Sequence, residues 1–223
     1  DFLQRDRRRP DVDYVRQIEW WCTWFLGNGN CMSPFPLSGA LPGMLANISP
    51  INEVIRPDLD SLTAVWRDEG GSTSNIYQSV DEPTQSDTDY AKLRVANWIL
   101  TQCPSTTTRT LRFRLSNPSA PPNPYQTVAL ECRSRIVDPF TTGFTATVDV
   151  KIKEGTTTVR SNDTGNTVTS TFGNDRCSMS TTEINSVTNW DNLYAEMTWT
   201  VCANGFDADL DIYCSHVYLE FIP

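Results

Sequence analysis

From about Leu62 onward the chain alternates apolar and polar residues with a period of two. Leu111, Phe113 and Leu115 alternate with Arg112 and Arg114. Phe144, Ala146, Val148, Val150 and Ile152 alternate with Thr145, Thr147, Asp149, Lys151 and Lys153. Successive side chains of a strand point to opposite faces, so each run predicts a strand with one buried and one wet side. Turn chemistry separates the runs: Asp68-Glu69-Gly70-Gly71, the proline cluster from Asn117 to Pro124, Glu154-Gly155, Asn162 to Asn166, and Asn204-Gly205. Short strands without βαβ spacing predict an all-β domain over 61–223, an antiparallel β-sandwich of jelly-roll-like form.

The last two strands invite a register. Ala195, Met197, Trp199 and Val201 form one apolar set; Ser215, Val217, Leu219 and Phe221 form the other. A hairpin that matches these sets places Cys202 opposite Cys214, on the outward side with His216. A cross-strand disulfide and a pair of thiols are both open at that position.

Residues 1–60 read differently. They hold six of the fourteen prolines (Pro10, Pro34, Pro36, Pro42, Pro50 and Pro57) and little alternation. Proline lacks the N–H that a sheet needs, so this part is expected to be an extended arm rather than a set of strands. One short helix is expected within it: Asp11 caps the start, Tyr14, Ile18, Trp21, Cys22 and Phe25 share a face, and Gly27 ends it. Trp20 and Trp24 lie on a second face. Aromatics on two faces need a surface to dock on, either the chain's own β domain or another molecule. Arg5, Arg7, Arg8 and Arg9 precede them, and with Trp20, Trp21, Trp24 and Phe25 they form the candidate partner-binding set.

Composition narrows the function. A chain of 223 residues can bury roughly 70% of its unfolded surface without staples. A net charge of -9 argues against general nucleic-acid binding, which rests on clustered Lys and Arg. The four N-terminal arginines are interleaved with Asp1, Asp6, Asp11 and Asp13, which suits contact with an acidic protein surface. No apolar run reaches eighteen residues, so no membrane span is expected. Residues 18–26 lack the flanks of a signal peptide.

Candidate chemistry is sparse. The seven cysteines contain no CxxC pair, and the single histidine, His216, leaves zinc without its usual ligand pattern; most cysteines are expected to be small core residues. A Cys22–Cys31 disulfide loop is open. His216 could serve as a general base, but no nucleophile elbow accompanies it, and a surface strand histidine is the expected role. Asp207, Asp209 and Asp211 offer alternating hard oxygens of the kind calcium takes. That loop lacks the sixth-position glycine and closing glutamate of an EF-hand, so a solvated hairpin loop is expected. Trp66, Trp98, Trp190 and Trp199 sit beside apolar neighbours and read as core rather than as a sugar platform. No catalytic residue, cofactor or metal is expected.

The β domain resembles a group of tailed-phage virion β-sandwich proteins over roughly 62–223. The resemblance rests on the acidic turn Tyr77 to Tyr90, the strand Phe113-Arg114-Leu115, the segment Val148 to Thr156, the helical turn Ser180 to Val187, Trp190 to Tyr194, and the terminal Val217 to Pro223. Cys214 and His216 depart from the usual final strand. The resemblance implies a non-catalytic structural role in the virion. Capsid cement, or decoration, is the expected role, because such proteins pair a sandwich head with an extended arm. The expected partners are the major capsid protein on the capsid exterior and further copies of the chain, as a dimer or trimer. A tail, fibre or neck-associated protein and a carbohydrate-binding module are the alternatives.

Overall fold

The computed structural model describes residues 53–95, 103, 105–122, 127–138, 143–162, 165–203 and 210–222. All of these lie within the unit Pro50–Pro223. Its strands form two antiparallel sheets. The first sheet contains β1 (Glu53–Ile55), β3 (Ala91–Val95), β5 (Thr127–Val137), β9 (Gly173–Met179) and β11 (Leu210–Ile222). Its order is β1-β11-β5-β9, with β3 also pairing β11. The second sheet contains β2 (Pro57–Leu62), β4 (Thr107–Leu115), β6 (Phe144–Glu154), β7 (Thr157–Ser161), β8 (Asn166–Thr167) and β10 (Leu193–Ala203). Its order is β2-β4-β10-β6-β7, with β8 also on β6. An all-β sandwich is therefore what the chain forms.

The alternating runs face as the sequence dictates. Leu111, Phe113 and Leu115 on β4 are buried, as are Ala146, Val148, Val150 and Ile152 on β6. Between them β10 brings Ala195, Met197, Trp199 and Val201 inward, in register with both neighbours. Trp199 and Trp66 are fully buried with ring centroids 5.2 Å apart. The indole N–H of Trp66 donates to the Thr110 carbonyl at 2.9 Å. Burial of each ring is worth a few kcal/mol, at about 25 cal/mol per Å² of apolar area. Trp190 is partly buried and meets Phe221 edge-on at 5.8 Å. Trp98 lies outside the described residues.

Local chemistry fixes the connections. In the β6–β7 turn, Gly155 has φ +57° and approaches Asn192, a conformation that disfavours any side chain. The expected helical turn is α1 (Thr181–Ser186). Ser180 Oγ accepts from the Glu183 N–H, and the Glu183 carboxylate accepts from the Ser180 N–H at 2.6 Å, which satisfies two donors left open at the helix start.

Two expectations are corrected. Residues 53–60, placed in the arm by its prolines, supply strands: β1 pairs with β11 and β2 with β4. Pro57 is tolerated because β2 is an edge strand with register shifts on both sides of Leu59-Asp60. The expected β10–β11 hairpin is absent, since the two strands lie in opposite sheets. Alternation specifies which face is buried; it does not specify the neighbour.

The outward placement of Cys214 fails as well, whereas His216 shares the outward parity of Tyr218 and Glu220. β11 shifts register between Cys214 and His216. Leu210, Ile212 and Cys214 point inward before the bulge, and Val217, Leu219 and Phe221 after it. An extra residue in one strand shifts the alternation by one position.

Candidate functional site

The bulge in β11 is the place where the fold departs most from regular pairing. On one side β11 is paired throughout by β5. On the other, β3 takes Leu210 to Cys214 and β1 takes Phe221 to Leu219. Between these stretches no named strand lies against β11, and the segment after the 3-10 turn Ile76–Ser79 fills the gap. The Val217 N–H donates to the Val80 carbonyl at 3.0 Å, and the Val80 side chain enters the core.

From there the chain clasps the outer face as far as Tyr90. Asp87 receives Arg133 Nε at 2.7 Å and Nη2 at 2.9 Å, and Ser215 Oγ donates to it at 3.4 Å. The Arg133 hydrogen bonds hold the Asp87 carboxyl below the usual carboxylate range. The Glu82 carbonyl accepts from Arg56 Nε at 3.3 Å and from the His216 imidazole. His216 is buried beneath this loop, rather than on a solvated strand face, and its ring lies 4.9 Å from that of Tyr218. Burial lowers its pKa, so the ring is neutral, and its Nε2 has no hydrogen-bond partner.

The clasp also holds three acids. The Glu82 carboxyl is within hydrogen-bonding reach of that of Asp89, yet Glu82 Oε2 and Asp89 Oδ1 are buried and no N–H or O–H reaches them. Burial, and then the contact with Asp89, push Glu82 up to about 7. Asp81 is raised too, mainly by burial.

Next to the clasp lies a layer of cations and rings. Arg135 and Tyr213 are direct partners on β5 and β11. The Arg135 guanidinium carbon sits 4.8 Å from the Tyr213 ring centroid and 4.4 Å from that of Phe172. Lys92 lies 5.1 Å over Tyr213 and pairs with Asp211 at 2.9 Å. Tyr90 meets Tyr213 edge-on at 4.9 Å. Such a layer can contact acidic or hydroxyl-bearing partners.

The five cysteines among the described residues divide in two. Cys103 and Cys202 form a disulfide, so the partner of Cys202 is Cys103 and not Cys214. Cys132, Cys177 and Cys214 are buried thiols. Contact with Cys214 and burial raise Cys132 well above its ordinary value, and burial pushes Cys177 up to about 11. Buried thiols with raised pKa values, as at Cys132 and Cys177, pack; they do not attack.

The arm candidates Arg5, Arg7, Arg8, Arg9, Trp20, Trp21, Trp24 and Phe25 lie outside the described residues, as do the expected arm helix, Cys22, Cys31, Asp207 and Asp209. Asp211 is engaged with Lys92. Among the described residues no group of three or more His, Cys, Asp or Glu side chains is arranged to hold a metal ion. Arg56, Glu82 and Asp89 were not marked as a site by their spacing. The acidic turn was visible, but its pairing with His216 depends on the bulge.

No family model and no curated protein sequence matches the chain. Among solved structures it is similar to a xylan-binding domain from Paenibacillus barcinonensis, at 9% identity and TM-score 0.34, covering 78% of this chain and 97% of that one. It is similar to a cyclase from Fischerella sp. TAU at 11% identity and TM-score 0.38, covering 79% and 77%. It is also similar to a chain of infectious bursal disease virus, Gt strain, at 13% identity and TM-score 0.39, covering 78% of this chain and 32% of that one. These likenesses concern the course of the chain and carry nothing about ligand or activity.

Proposed function

We propose that this protein is a non-catalytic virion structural protein, a capsid cement or decoration protein that grips the major capsid protein on the shell exterior through its N-terminal arm. Copies of the sandwich associate there as dimers or trimers. One observation carries the reading. The exposed large apolar residues among those described are Val54, Leu59, Leu62 and Val65, all near the start of the unit Pro50–Pro223. Leu62 and Val65 are 50% and 61% exposed, although the sandwich has a closed core of its own. Exposed apolar residues that follow in sequence on a segment rich in Arg and Trp support a contact role for this end of the chain. Tethered contacts of this kind reinforce one another, because each raises the effective concentration of the next.

Binding to purified empty shells tests the proposal. The unit 53–223 is compared with the full chain and with a full-chain variant carrying Trp20→Ala, Trp21→Ala and Trp24→Ala. Both altered proteins are expected to lose about 100-fold or more in affinity while keeping the thermal transition of the sandwich. Undiminished binding by the unit 53–223 would refute the arm as the grip. Glycan-array binding by both proteins, without shell binding, would instead support a carbohydrate-binding module.

A further inference from the structure

We propose that the outer face of the first sheet carries a docking site for an acidic peptide segment of a partner protein, with the Arg135 guanidinium as its anchor. The inference is independent of the capsid reading.

Strand register builds the site. Lys92, Tyr213 and Arg135 are direct partners on β3, β11 and β5. Phe172 comes just before Gly173, which pairs with Ser134 of β5. The result is a row of cation, ring, cation and ring across the sheet. Lys92 lies 5.1 Å and Arg135 4.8 Å from the Tyr213 centroid, and the two come from strands on opposite sides of β11. The Phe172 centroid is 4.4 Å from Arg135 and 5.4 Å from Arg133. Contact with two rings restricts the Arg135 guanidinium before any partner arrives, so less freedom is lost on binding.

The charges already paired on this face indicate the chemistry that suits it. Arg133 grips the Asp87 carboxylate through Nε and Nη2, and Lys92 holds Asp211 at 2.9 Å. Asp87 is near enough to feel Arg135, but both of its oxygens are taken by Arg133. Among the described residues no carboxylate forms an ion pair with Arg135, and its Nε is buried without an acceptor. A guanidinium partly withdrawn from water and lacking a counter-charge gains more from an arriving carboxylate than a solvated lysine does. Its two-pronged geometry matches that group.

Other occupants fit less well. Tyr213 is only 9% exposed, and the rings of the row are engaged by cations, which leaves little for a sugar or a base to stack on. The net charge of -9 opposes a long polyanion, whereas a short acidic segment meets the local positive field.

Fluorescence anisotropy of a labelled octaglutamate peptide, titrated with the full chain at about 50 mM salt to limit screening, tests the site. Saturable binding is expected. Arg135→Gln should weaken it about tenfold or more, and Arg135→Lys, which keeps the charge but not the fork, about fivefold. Phe172 lies outside the buried core, so Phe172→Ala keeps the fold while freeing the guanidinium, and should weaken binding about threefold. Arg176→Gln, on the same face but engaged with Glu131 and Glu220, leaves the affinity unchanged. Thermal melting confirms that each variant is folded; if the Arg135 variants are not, Phe172→Ala decides. The proposal fails if octaglutamate does not bind, or if Phe172→Ala binds it as the wild type does. Undiminished binding by Arg135→Gln or Arg135→Lys also overturns it, since the peptide would then sit elsewhere, as on the N-terminal arginines. Octathymidylate or octagalacturonate binding as tightly as octaglutamate would assign the face to a polynucleotide or a polyuronate instead.

Discussion

Asp175 shows how one side chain can set the pH response of the sandwich. It lies opposite Cys132 on β9 and points inward, 7% exposed, among otherwise apolar residues. Burial pushes its pKa up to about 6, although hydrogen bonds from Asn166 and Ser134 favour the charged form. Ser134 Oγ in turn receives the Trp199 indole N–H at 3.4 Å, so a short polar chain links the two sheets. Because the folded pKa lies above the ordinary 3.8, stability from this group is complete below pH 3.8 and lost as the pH rises through 6. Asp175→Asn is therefore expected to raise stability by about 1–2 kcal/mol at pH 7.5 and to change it little at pH 4. Urea unfolding at the two pH values measures the difference. A loss of stability at pH 7.5 would mean that the ionised carboxylate is well solvated by its partners.

At the scale of elements, face is legible from the sequence and partnership is not. The runs of β4, β6 and β10 could be assigned inward and outward residue by residue, because burial of one face is a local property of each strand. That β10 lies between β4 and β6 while β11 joins the other sheet depends on long-range packing that any alternating strand would satisfy. The bulge in β11 had a readable signal. Leu210, Ile212 and Cys214 keep one parity and Val217, Leu219 and Phe221 the other, with Ser215-His216 between them. Assuming unbroken alternation placed Cys214 outside and so hid the bulge. Deleting Ser215 forces one apolar trio to the surface or uncouples β11 from β5, and is expected to cost several kcal/mol, a large part of a domain's stability. Thermal melting reads the outcome, and a change under about 1 kcal/mol would mean the bulge can slide. A smaller effect is expected at the β6–β7 turn. There Gly155→Ala adds a methyl group at positive φ, 3.1 Å from Asn192 Nδ2, and should cost about 1–2 kcal/mol by denaturant unfolding.

At the scale of the whole molecule, the Cys103–Cys202 disulfide is, among the described residues, the one covalent tie between distant parts of the sandwich. It joins residues 99 apart in sequence and is accompanied by a backbone hydrogen bond from the Cys103 N–H to the Ala203 carbonyl at 3.2 Å. Closing so long a loop limits the unfolded chain, with a typical effect of about 2–4 kcal/mol. The native sandwich does not require the bond to define its core, since the buried cluster runs through both sheets from Ile55 to Phe221. Reduction should therefore lower the melting temperature, by about 5–15 °C for a domain of this size, without abolishing the cooperative transition. Cys202→Ser should match the reduced wild type and no longer respond to reductant. Cys132, Cys177 and Cys214 should be alkylated only after denaturation, because all three thiols are buried. Peptide mapping under non-reducing conditions provides the independent check: a linked pair containing Cys103 and Cys202 is expected. If Cys202 is recovered linked to Cys214, the two strands share a sheet and the crossover between sheets is wrong. If Cys202 is recovered alkylated, the tie is absent, and the melting temperature should not change with reductant.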